Sequence, residues 1–184
     1  MKKVLASVVI FAALVVVAGL VYIYSGAYNV SAKSPDNAVL SWVLRTTRHY
    51  SIESRADDMP SPPSLSDENL IRAGARRYGD DCAACHGSPG NYPGPIGKGL
   101  NPEPPNLMRG AAHANPRVLY WAVMHGIKMT GMPSWDHEYD ADKAWSVVAF
   151  LENALPRLSP EQYRQMSGGT EGGEEQERKS ASSD

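Results

Sequence analysis

The feature that most constrains this chain is a five-residue run, Cys82-Ala83-Ala84-Cys85-His86, which contains both of its cysteines. One tight turn of backbone brings two thiols at this spacing to a common edge, with the histidine directly after them in reach of the same point. Thiols that can add across the two vinyl groups of a porphyrin, followed by an imidazole that can ligate its iron, form the covalent attachment pattern of haem c. Sequence adjacency fixes the His86 ligand before the cofactor arrives. Competing uses of C-x-x-C fit less well. A thioredoxin-like pair opens a helix within a βαβ pattern, which this sequence lacks. A structural zinc site needs four ligands, and no second Cys or Cys/His pair stands at matching spacing.

Composition explains why such a cofactor would be needed. The chain has 16 Gly and 14 Pro among 184 residues, with 8% aromatic residues, and its Pro/Gly-rich stretch runs from 60 to 116. A small domain with so much irregular backbone is short of core material, and a large apolar cofactor supplies it. The net charge of −2, without a basic cluster, disfavours nucleic-acid binding.

Four segments follow from patterning. Lys2 and Lys3 precede an apolar run over 4–24, which as a helix spans about 32 Å, enough for a bilayer core. Tyr22, Tyr24 and Tyr28 stand where an interfacial aromatic belt would. Residues 1–28 are therefore expected to be a single transmembrane anchor in the inner (cytoplasmic) membrane. Its lysines place the N-terminus in the cytoplasm and the remainder on the periplasmic side. A cleaved signal peptide ending near Val30-Ser31-Ala32 is the alternative, although its apolar region would usually be shorter. Residues 29–65 are expected to form an amphipathic helix over 34–54, capped by Ser34 with Pro35 in its first turn, and then a Pro-rich linker.

Residues 66–156 read as an all-α domain of three main helices, since strand-type alternation is absent. Ser66 is expected to cap the first, Asn115 to cap the second ahead of Pro116, and the third to run over 140–153. Residues 157–184 are polar and rich in Gly, Glu and Ser towards the end, and are expected to be a disordered tail. The sixth iron ligand has several candidates: Met108, Met124, Met129, Met132, His113 and His125. Met132 lies between Gly131 and Pro133 in an interhelical loop able to present a thioether to a fixed point, although spacing alone does not separate it from Met129.

Over 67–155 the order of motifs resembles the class I cytochrome c family, particularly its bacterial, membrane-anchored monohaem members. The resemblance rests on Cys82 to His86, Gly94-Pro95, Gly131-Met132-Pro133-Ser134-Trp135 and the helical segment 145–151. It implies a helical domain around one covalent haem c, with His86 and Met132 as axial ligands of the iron. It also implies that the Pro95 carbonyl accepts a hydrogen bond from His86, and that Gly74 faces Phe150 where two helices cross, with Tyr78 beside them. Trp135 is expected either to touch a haem propionate or to serve as a packing aromatic. The function implied is that of an electron carrier rather than an enzyme. Its redox protein partners would be a dehydrogenase, a quinol-oxidising complex or a terminal oxidase. The alternative is a five-coordinate haem c enzyme or gas/redox sensor in which His113 or His125 does acid-base work.

Overall fold

The computed structural model describes residues 1–168, which divide into two compact units, Met1–Pro35 and the chain from Asp36 onward. In the first unit, helix α1 (Lys2–Tyr24) carries no charge beyond its two lysines and is long and apolar enough to cross a membrane. None of its residues is buried by protein.

The second unit is helical. Among the described residues its only extended pairing is an isolated bridge between Ser88 and Asn91. Helix α2 (Ala38–Ala56) begins later than the sequence suggests: the cap is Asn37, whose side chain accepts from the Leu40 backbone N–H. Ser34-Pro35 and Asn37 are both good start signals, and the one that closes the capping hydrogen bond sets the boundary. Helix α2 packs on α6 (Pro116–His125) through Ile52 and Ala56, while Val39, Trp42, Val43 and Tyr50 stay exposed. The Arg117 guanidinium clips the following strap down, donating to the Asp57 carbonyl at 3.2 Å and to Ser61 Oγ at 3.1 Å.

Helix α3 (Glu68–Arg77) is capped by Asp67, not Ser66; its carboxylate accepts from both Asn69 N and Leu70 N. Across α3 lies α7 (Ala141–Asn153), capped by Asp140, in which eight consecutive residues from Ala144 to Leu151 are buried. A helix buried all round is a core helix, and its neighbours must come close. Gly74 permits that approach: a Cβ there would stand 1.9 Å from the Ser146 carbonyl oxygen and 2.9 Å from Phe150 Cβ. The glycine thus faces the α7 backbone as well as the aromatic residue. Tyr78 then packs its ring 5.5 Å from that of Phe150, and on the other flank Tyr120 of α6 stacks on Trp145 at 4.3 Å.

The segment after 157 departs from expectation. Pro160–Ser167 is a helix, α8, closed by a capping box between Ser159 and Gln162 and ended at Gly168 in the left-handed region. Its Tyr163 is buried against Tyr78 and Phe150, so α8 packs onto the crossing of α3 and α7. The rest of the expected tail, 169–184, lies outside the described residues.

Candidate functional site

From the end of α3 the chain continues into one π-helical turn, Tyr78–Cys82, and then the four-residue helix α4 (Ala83–His86). A π turn widens the backbone helix and shifts the phase of every side chain after it, and such turns concentrate at functional sites. Here it delivers Cys82, Cys85 and His86 at the end of a helix whose inner face, with Gly74 and Ala75, belongs to the core. Gly87, at φ +77°, then turns the chain away, and the buried Tyr78 hydroxyl donates to its carbonyl at 2.7 Å.

The loop after Gly87 folds back under α4. Gly94 N donates to the Cys85 carbonyl and Ile96 N to that of Ala84, which satisfies the carbonyls this short helix leaves open. Side chains at Gly94 or Gly97 would strike those same carbonyls: a Cβ would lie 2.4 Å from Ala84 O and 2.1 Å from Cys85 O respectively. Pro95 is therefore not the partner of His86. Its loop docks backbone to backbone beneath α4 and leaves Pro95 exposed. The His86 partner comes from further along the chain, where the carbonyl of Pro105 lies 3.1 Å from Nδ1, just before helix α5 (Leu107–Gly110). Sequence reasoning missed this residue, since nothing distinguishes Pro105 from its many proline neighbours.

That hydrogen bond decides the chemistry of the ring. A carbonyl can only accept, so Nδ1 carries the proton and Nε2 keeps its lone pair. Burial holds the imidazole below its ordinary pKa, outweighing the opposite pull of the Pro105 carbonyl, which favours a neutral ring with a lone pair on Nε2 to offer. Both cysteines are free thiols, and burial, reinforced by the Asp81 carboxylate and by Cys85, pushes Cys82 up to about 12. A thiol held protonated is unlike the low-pKa nucleophile of a thiol-disulfide enzyme.

On the C-terminal side of α6 the chain makes a closed turn. Ile127 N donates to the Met132 carbonyl at 3.1 Å, the Thr130 hydroxyl donates to the Ile127 carbonyl at 2.7 Å, and Met132 N donates to Thr130 Oγ1 at 3.1 Å. Gly126 permits the entry: with φ at +63°, it passes so near the next strand of loop that a Cβ would stand 2.5 Å from Ser134 N. Within this turn Met129 sits at the tip, 73% exposed, and Met132 is half-buried against the core. Trp135 is also half-buried, its backbone N–H donating to the Val123 carbonyl and its ring 5.4 Å from that of Tyr139. Its packing role is thus visible directly. His113 and His125 are exposed; His125 stacks on Trp121 at 4.7 Å and bonds the carbonyl of that residue through Nδ1.

The residues present fit a covalently held haem. Two free thiols and an imidazole with a free Nε2 lie within one turn, and Leu107, Met108, Met124, Met132 and Trp135 pack on the core while remaining only half-covered by protein. Among the described residues no cluster of His, Cys, Asp and Glu forms a competing metal site.

Comparison with known families agrees. Residues 69–151, a little under half the chain, match the family described as "Cytochrome C oxidase, cbb3-type, subunit III". Searches of curated proteins and of solved structures found no match. Over this segment the chain is similar to the class I monohaem c-type cytochromes, a family with covalently bound haem c and its iron, and Cys82 and Cys85 stand at the spacing of that attachment motif. That similarity supports haem-based electron transfer as the role of this domain.

Proposed function

We propose that the protein is a membrane-anchored electron carrier of the inner membrane, with its N-terminus in the cytoplasm and its haem domain on the periplasmic side. It relays single electrons between respiratory partners through an iron held by His86 and Met132. The observation that carries this reading is the His86 ring, neutral and oriented through Nδ1 by the Pro105 carbonyl, directly beside two free thiols. The bound group supplies a reversible one-electron change at iron. The chain orients the imidazole, presents the thiols through a π turn and packs apolar side chains that exclude water.

For the second axial position Met132 is supported over Met129 by its half-burial on the core and by the hydrogen bonds that fix its backbone. A thioether there closes the site to substrate and raises the potential, which suits a carrier rather than an enzyme. The five-coordinate alternative would draw on His113 or His125 near the iron, and both are exposed. The anchor rests on α1 and its two N-terminal lysines. The matched family is named for an oxidase subunit, so a terminal oxidase is the favoured partner over a dehydrogenase or a quinol-oxidising complex.

The test is a visible spectrum in both redox states together with a haemochrome assay, on protein matured in a host that attaches haem c. Thioether-linked, six-coordinate, low-spin haem is expected. Pigment that passes into acidified organic solvent would refute covalent attachment. Extraction of membranes in mild detergent, followed by size separation, is expected to show the chain travelling with oxidase activity; migration alone would identify a free carrier.

A further inference from the structure

One part-buried contact joins the attachment turn to the segment after Met132. The Tyr139 hydroxyl donates to Asp81 Oδ2 at 2.6 Å, linking residues 58 apart in sequence. Asp81 belongs to the π turn and immediately precedes Cys82, and its charge is felt by the Cys82 thiol. Tyr139 is only 7% exposed, packs its ring on Trp135, and donates its backbone N–H to the Trp135 carbonyl at 2.7 Å. Trp135 follows Met132 by three residues. Among the described residues Asp81 forms no ion pair, and the phenol donates a hydrogen bond to its carboxylate.

We propose that Asp81 and Tyr139 form a redox-tuning pair: a carboxylate beside the attachment turn that favours the oxidised haem, with a phenol hydroxyl that moderates it. This rests on the haem reading above. The oxidised iron centre carries one more positive charge than the reduced one, so a nearby carboxylate stabilises it through space and lowers the reduction potential. A phenol donating a short charge-assisted hydrogen bond draws density from that carboxylate and weakens the effect. In this role Tyr139 is a positioning residue acting through Asp81.

The two halves of the pair predict shifts of opposite sign. In holoprotein, Asp81→Asn removes the charge and raises the midpoint potential, while Tyr139→Phe removes only the hydroxyl and lowers it. The double variant matches Asp81→Asn alone, because without the carboxylate the hydroxyl has nothing to moderate. Redox titration reads all three, and guanidinium unfolding of the same samples reads stability. A purely structural link would lower the unfolding midpoint of both single variants without opposed potentials, and that result overturns the proposal. Should Tyr139→Phe not accumulate, Asp81→Asn alone decides, since an unmoved potential refutes tuning. A haemochrome assay on the wild type keeps the two ideas apart: covalent haem with unmoved potentials defeats the pair, whereas no covalent haem defeats the functional reading itself.

Discussion

Met129 and Met132 stand three residues apart in one loop, yet their surroundings differ enough for a substitution to separate them. Met129 is at the exposed tip with φ +62°, whereas Met132 is packed on the core. Met132→Ala is expected to open the sixth position, lower the potential and admit carbon monoxide to the reduced protein; Met129→Ala is expected to leave the spectrum unchanged. Absorption spectra of both variants, with and without carbon monoxide, check this. Gly74 offers a second single-residue test. Adding a methyl group 1.9 Å from the Ser146 carbonyl forces α3 and α7 apart, so Gly74→Ala should cost about 3 kcal/mol in denaturant unfolding. Gly99→Ala, with nothing within 4 Å of its Cβ, is the matched control and should be near neutral. At this scale the attachment residues were legible because their chemistry is local. The Pro105 contact was not, since it pairs residues 19 apart through a loop whose path no periodicity encodes.

At the level of elements, legibility followed capping. Asn115-Pro116 and Asp140 start α6 and α7 where their sequence signals stand. In the α2 and α3 regions two good cappers lie close together, and hydrogen-bond geometry chose the later one in each case. The π turn leaves no mark in composition at all. Helix α8 was hidden by its polarity, because its attachment rests on Tyr163 with support from Met166, too few apolar residues to make a stripe. Its dependence on one anchor is testable. Tyr163→Ala should cost about 3 to 4 kcal/mol in chemical unfolding, whereas Ser159→Ala, which removes the N-terminal cap, should cost about 1 kcal/mol.

For the whole molecule, the buried phenols make stability sensitive to alkali. Burial pushes Tyr163 up to about 12 from its ordinary 10.0, and Tyr78 and Tyr139 are raised in the same direction, mainly by burial. A raised folded pKa means that the unfolded chain ionises first. The Tyr163 contribution is therefore complete below pH 10 and lost as pH climbs from there towards 12. The loss should be about 2 kcal/mol, and Tyr163→Phe should reduce the slope of stability against pH, as read by guanidinium midpoints across that range. The all-α character of the unit from Asp36 and the apolar length of α1 could both be read in advance, because each follows from periodicity and composition summed over many residues. The closed turn over 127–132 carries a kinetic consequence. With Met132 as ligand, its carbonyl and amide are both tethered, so the thioether has little freedom to swing when iron gains or loses an electron. Nuclear rearrangement should then contribute little to the barrier, and electron self-exchange should slow when Thr130→Ala unties the loop.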